Sequence, residues 1–332
     1  MGRSMTYQGL YLKKETTPGT ANTTGMQRYL GIGGRPGWNV ETQEFRAEGY
    51  KTNTTSQPLM ETGQHTINTL QDYNALLPVL ASVLTYDGAT QPDAENAATA
   101  YEHTFHLNPT AMDTLTTFTG IWGDATQAIQ MLYLVFNSLS FGIQRGSLSV
   151  GTSAISKEPT TGASLPTSPT TVPSQPIPAR SYSVYIDDAW ADLGNTKATA
   201  VYDWNLNIGD KLTTDAPIDA AVTSFAGLID NEGVAYDGNF QLGFDASAVS
   251  MIGDYKAGTQ KFARVHSVGP TIGGDVTYEL EVDASLLVVR PGEITSAPNA
   301  PVVVVPFDYI LVPDATSGNE LTVRLVNEVA TI

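Results

Sequence analysis

No cysteine occurs among the 332 residues. That excludes disulfide frameworks, thiolate metal sites, iron–sulfur ligation and cysteine nucleophiles, and a chain this long can bury its cores without such staples. Basic residues are scarce: 17 Lys and Arg stand against 34 Asp and Glu, for a formal net charge of −17. This inventory argues against a broad cationic surface that grips phosphates, and so against stable nucleic-acid binding, but not against nucleic-acid avoidance. Long apolar runs are missing too. Leu76–Leu84 is the longest candidate and is interrupted by Pro78 and Ser82, short of the roughly 20 residues that span a bilayer. The start, MGRSMTYQGLYLKKETTPGT, is too polar for a secretory leader. The expectation is a chain made and kept in a cytoplasm, without a membrane partner.

Catalytic signals are equally thin. GIGGRPG at Gly31–Gly37 begins like a dinucleotide fingerprint, but Pro36 holds the third glycine position and no amphipathic helix follows; the glycines read as a turn between strands. His103 and His106 stand three apart in YEHTFHL, a strand-like stretch in which that spacing sends the two rings to opposite faces rather than to one metal. His65 and His266 stand alone, and no P-loop, nucleophile elbow, HExxH or EF-hand loop occurs. No enzyme activity, cofactor or metal is expected.

What is present favours strands. Charged residues make up only 15% of the chain, too few for long solvent-laced helices, while Thr, Gly, Ala and Val abound. Residues 37–69 show short polar alternations broken at Gly49 and Pro58, the pattern of a long hairpin with little burial of its own, which needs something outside itself to pack on. Residues 71–84 form the clearest helix: Tyr73, Leu76, Leu77, Leu80, Val83 and Leu84 recur at helical spacing, Asp72 falls in the acid-favoured first turn, and Pro78 should kink or split it. Strands are expected at 101–107, 115–122, 132–141, 147–155, 182–186, 198–208, 239–244, 261–268, 276–281, 302–305, 309–312 and 321–326, with one short helix near 247–256.

From Lys157 to Arg180 the composition changes to KEPTTGASLPTSPTTVPSQPIPAR. Its six prolines are incompatible with ladders or helix. This marks a boundary between a first β-rich part, 1–156, and a second, 181–332. The stretch reads either as a disordered linker or as a semi-extended arm lying on a neighbour, with Pro166, Pro169, Pro173 and Pro176 as its contact residues. VFNSLSFG at Val135 and VYDWNLNIG at Val201 each run an alternation into a glycine; a duplicated module and a chance match both fit.

Acidity is uneven. Residues 1–166 carry 9 basic and 13 acidic side chains (−4), residues 167–332 carry 8 and 21 (−13). Asp210, Asp215, Asp219, Asp230, Glu232 and Asp237 cluster in two stretches whose irregular spacing reads as solvated turns more readily than as a Ca²⁺ site. Trp38, Trp122, Trp190 and Trp204 are dispersed, which suits core anchoring better than a sugar-binding platform.

The order of segments carries the one resemblance. KKETTPGT, the polar hairpin around EFRAEGYKTNTTSQP, the helix QDYNALLPVLASVL and the strand FNSLSFGIQRGSLSVGTSAI are followed by NLNIGDKLTT, GDYKAGTQKFARV and FDYILVPDATSGNELTVRLVN. This succession resembles the tail tube proteins (major tail proteins) of long-tailed bacteriophages, particularly the larger ones. The resemblance implies a mainly β fold: two tandem β-sandwich or barrel modules, each with about one flanking helix, plus a long hairpin and a Pro-rich arm. It further implies a virion structural protein, assembled in the host cytoplasm, whose copies stack as rings around a channel through which DNA passes without stable binding. Two modules per chain would make the ring a pseudo-hexameric homotrimer, the preferred expectation; one module would require a hexamer.

Under that reading residues 38–62 are the hairpin, whose Trp38, Val40, Phe45, Tyr50, Lys51 and Leu59 meet a neighbouring subunit or ring, and Asp210, Asp215, Asp219, Asp230, Glu232 and Asp237 are the candidate acids facing the lumen. Tape measure and tail terminator proteins would be further partners. Two other classes remain open: a non-catalytic tail-tip or adhesin-like glycan-binding module, which predicts clustered exposed aromatics, and a hydrolase, which predicts a pocket with paired carboxylates.

Overall fold

A computed structural model describes residues 8–144, 147–217, 223–231, 233–297 and 301–332. Strands account for 54% of the chain and helices for 8%, so the protein is mainly β, as its β-branched, charge-poor composition requires.

Seven strands lie side by side in one antiparallel series: Trp38–Phe45, Thr55–Thr69, Ser147–Lys157, Leu139–Gln144, Val201–Ile208, Tyr236–Gly243 and Val303–Leu311. The last pairs with the end of the long strand Val276–Pro291, whose beginning pairs with Leu321–Asn327. Gln260–Gly273 runs along the other edge of Val276–Pro291. A second group holds Gly9–Lys14, Phe118–Asp124 and Gln127–Phe136. The apolar alternation of VFNSLSFG does not make one strand. It breaks at Asn137, whose side chain turns to the backbone of Leu212, accepting from its N–H at 2.6 Å and donating to its carbonyl at 3.2 Å.

Residues on either side of the Pro-rich stretch are neighbours in space. Leu139–Gln144 pairs with Val201–Ile208, and Tyr101–His106 pairs with Leu321–Asn327. One continuous core takes Leu76, Phe105 and Phe141 from the first half and Trp204, Leu280 and Leu325 from the second.

Helix α1, Leu76–Val83, sits within this core, and all eight of its residues are buried. A flanking helix was the expectation; the absence of any charged side chain on LLPVLASV allows enclosure on every side instead. The helix begins at Leu76 rather than near Gln71. Pro78 has no N–H to give the carbonyl of Asn74, so regular helix starts only two residues ahead of it and no kink is needed. Asp72 instead closes the turn that leads into the helix, its Oδ1 accepting from the N–H groups of Asn74 and Ala75 at 2.9 Å each. Helix α2, Ala246–Ala257, does flank the sheet, burying only Ala248 and Met251; Asp245 caps its start and Gly258, at φ 65°, its end.

The Pro-rich stretch is corrected in one respect: it does contain ladders. Thr160–Ala163 pairs antiparallel with Gln127–Phe136, and Thr170–Val172 pairs in parallel with Gln27–Tyr29. Pro159, Pro166, Pro169 and Pro173 fall outside these short runs, so the paired residues keep their N–H groups. Val172 and Ile177 insert into the core, while Pro166 and Pro169 are half-buried and Pro173 and Pro176 exposed. The Ser174 hydroxyl donates to Asp72 at 2.6 Å, and Ile177 N–H to the Gln71 carbonyl at 2.9 Å. The segment thus straps across its own chain.

Candidate functional site

Two features of the surface stand out, a projecting hairpin and a polar sheet face. The hairpin joins Trp38–Phe45 to the first part of Thr55–Thr69. Its base is well tied. Strand residues 62–68 also pair with Ser147–Lys157, and the Trp38 indole donates to the Pro159 carbonyl at 3.1 Å.

At the base, His65 is 4% exposed. Its Nδ1 accepts from Gly37 N–H at 3.2 Å, which leaves Nε2 to donate to the Ser156 hydroxyl at 2.7 Å. Burial depresses the His65 pKa to about 4, so the ring is neutral and this bonding pattern is fixed.

Beyond Glu61, whose N–H donates to Thr223, the ribbon has no third strand among the described residues. Leu59 is the extra residue of a bulge, since Glu41 faces Met60 while Thr42 faces Pro58. The bulge is also what admits Pro58 into a ladder. Trp38, Val40, Phe45, Tyr50 and Leu59 are 47, 42, 40, 62 and 60% exposed, and Lys51 is exposed beside them. A two-stranded ribbon carrying five large exposed apolar side chains has little of its own to hold it in water.

The polar face follows from strand alternation. Across six neighbouring strands, one row of facing residues reads Asn68, Gly151, Ser140, Asn207, Asp237, Ile310. Adjacent rows place Gly142, Asn205, Asn239 and Asp308, then Gln144, Asp203 and Gln241. Intervening positions carry the core: Phe141, Leu206, Gly238 and Tyr309 in one row, Ile143, Trp204, Phe240 and Phe307 in the next. Gly238 is required there because the Tyr309 phenol crosses it to donate to the Asn205 carbonyl at 2.8 Å; a Cβ would meet that hydroxyl at 2.3 Å.

One side of the sheet is therefore hydrocarbon and the other is amides, hydroxyls and carboxylates. Partial burial pushes the Asp203 carboxyl up. Arg290, on the next strand, is paired to Asp308.

Of the acids singled out in the sequence, Asp237 lies on this face and accepts from Asn207 at 3.2 Å. Asp210 lies beside it in a cleft of about 580 Å³ with Gln64, Thr66 and Ser153, accepting from the Ser153 hydroxyl at 2.9 Å. Asp215 and Asp230 sit exposed on the separate small hairpin Leu212–Asp215/Gly227–Asp230. Asp219 and Glu232 lie outside the described residues. Asp203, Asp308, Asn68, Asn205, Asn207 and Asn239 escaped the sequence reading. The alternation in VYDWNLNIG already placed Asp203, Asn205 and Asn207 on one side, but not which side met the core.

The other motifs have structural explanations. His103 is buried and His106 half-buried against Asp87, as opposite strand faces dictate. Gly31–Gly37 is not simply a turn: Ile32–Arg35 is a strand, and a Cβ on Gly34 would meet the Ile67 side chain at 2.6 Å. Trp204 anchors the core, Trp122 and Trp190 are half-buried, and Trp38 belongs to the hairpin. Among the described residues no three His, Asp or Glu side chains converge as a metal site, and no helix is long and apolar enough to cross a membrane. No family model matches the chain, and no curated protein matches it significantly.

Proposed function

We propose that the protein is a phage tail tube subunit that polymerises as stacked rings into a hollow conduit for DNA. The observation that carries this reading is the pairing of the two surfaces: a projecting ribbon with exposed Trp38, Phe45, Tyr50 and Leu59, and a broad sheet face of Asn, Gln, Ser and Asp. The ribbon supplies apolar area and free backbone donors and acceptors that only another chain can cover. In a ring whose sheet faces inward, the polar face forms the channel wall.

Such a wall suits passage of a polyanion. Asp203 and Asp237 repel phosphates within about 8 Å at physiological ionic strength, amides and hydroxyls keep the surface wetted, and the Arg290 guanidinium at its margin is paired to Asp308. A chain that supplies two ring positions would close the ring as a trimer. Tape measure and tail terminator proteins are partners under the same reading, and the virion tail is the location.

Electron microscopy of the concentrated purified chain tests it. Uniform hollow rings or tubes are expected; a monomer that persists with tail assembly partners present, or isolated oligomers that bind glycan, would replace it with the adhesin reading.

A further inference from the structure

Beneath the C-terminal end of α1, Lys211 and Asp113 form an ion pair in which the two side chains are each 3% exposed. Lys211 Nζ contacts Asp113 Oδ2 and donates to the Val83 carbonyl at 2.8 Å. The other oxygen, Asp113 Oδ1, accepts from the Thr85 hydroxyl at 2.6 Å and from Asn108 N–H at 3.0 Å. A third ionisable group lies close. Leu107 N–H donates to the Leu321 carbonyl and Thr322 faces His106, so Glu320, 7% exposed, is set across from Asn108 and hence beside Asp113.

We infer that Lys211 and Asp113 join in an amide cross-link, with Glu320 as the proton shuttle. Each part of the site has a role in that condensation. Nζ must shed a proton before it can attack, and Asp113 Oδ2, in contact with it, is placed to take that proton, which turns the ion pair into an amine and a carboxylic acid. Nζ then attacks Cγ. The charge that develops on Oδ1 falls where the Thr85 hydroxyl and Asn108 N–H already point, as in an oxyanion hole.

Glu320 takes a proton from the attacking nitrogen and gives one to the departing Oδ2. The Nζ–Cγ bond forms, the Cγ–Oδ2 bond breaks and one water leaves, with no oxidant or activated group required. Burial, and after it the Asp113 charge, raise the Glu320 carboxyl above its ordinary range, which suits a group that must hold and hand over a proton.

The product fits the site better than the reactants. An ammonium has three N–H donors, and Val83 and Asp113 take two of them. The amide has one, which Val83 accepts, and its single oxygen keeps Thr85 and Asn108. The link would tie residues 98 apart in sequence, joining the first half to the second and shortening the unfolded chain as a disulfide would, in a protein without cysteine.

Intact-mass and peptide-mapping spectrometry of the denatured full-length chain decides the matter. The expected result is a chain lighter by one water and a branched peptide containing Asp113 and Lys211. The full mass, with both residues recovered in linear peptides, overturns the inference. E320Q should fold with an unchanged strand signal in circular dichroism and keep the full mass; loss of water in that variant would overturn the shuttle. None of these outcomes depends on tube formation.

Discussion

His103 donates from Nε2 to the carbonyl of Val329 at 2.9 Å, binding a central strand to a residue 226 positions further along the chain. The same ring accepts from the Tyr86 hydroxyl at 2.8 Å through Nδ1, and Nε2 also lies 3.2 Å from Asn327 Oδ1. Asn327 in turn donates to the Tyr73 carbonyl at 3.0 Å. The C-terminal segment is thereby locked to the start of α1. Replacing His103 by Ala strands buried partners on three elements, and should cost roughly 2–4 kcal/mol in urea unfolding. A change within experimental error would show that the lock carries no weight.

Stability should fall on acidification before most carboxylates titrate. His65 has its pKa depressed by burial from the ordinary 6.5 to about 4, and His103 shifts in the same direction, burial being the largest cause. The unfolded chain takes up protons at these rings as the pH drops through about 6.5, while the folded chain resists. The His65 contribution is therefore complete above about pH 6.5 and is lost progressively as the pH falls toward about 4, amounting to on the order of 3 kcal/mol, and His103 adds to it in the same direction. Urea midpoints at several pH values should show this slope, and H65Q should flatten it. Equal slopes in the two proteins would contradict the assignment.

Deleting residues 40–60 and closing the base with a short turn should leave the fold intact and abolish assembly. The removed ribbon forms no ladder with a third strand among the described residues, so circular dichroism should keep its strand signal. Sedimentation and microscopy would read the loss of polymer. Wild-type-like tubes from this variant would refute the hairpin's role.

Exchanging Asp203 and Asp237 for Lys should spare assembly but alter the channel. Both occupy the polar face rather than the core. The tubes should retain DNA at low salt and release it as salt rises, since cationic side chains recruit phosphates through counterion release. In an infecting particle, ejection should slow. Unchanged DNA retention and ejection would remove the electrostatic part of the proposal.

Asp72→Ala should lower stability by about 2–4 kcal/mol, because it removes the two hydrogen bonds that close the turn leading into α1 together with the Ser174 hydrogen bond that fastens the strap. Thermal unfolding measures it. Faster proteolysis between residues 157 and 180 is the accompanying sign that the strap has loosened, and an unchanged digestion pattern would show that it is held elsewhere.

By itself the sequence determined the mainly β class, the hairpin and the position of both helices. These are written in local spacing: the alternation of Tyr202, Trp204, Leu206 and Ile208, the polar run around Gly49, the apolar recurrence from Tyr73 to Leu84. Tertiary structure alone decided three other things. It enclosed α1 instead of leaving it on a flank, because strands from both halves close over it. It folded the proline segment onto its own chain through Val172 and Ile177, two apolar side chains whose burial depends on distant partners. It also selected Asp203, Asp237 and Asp308 as the acids of one face. Period-two spacing says which residues share a side, but which side meets the core depends on strands far apart in the chain, and that is a property of packing rather than of local pattern.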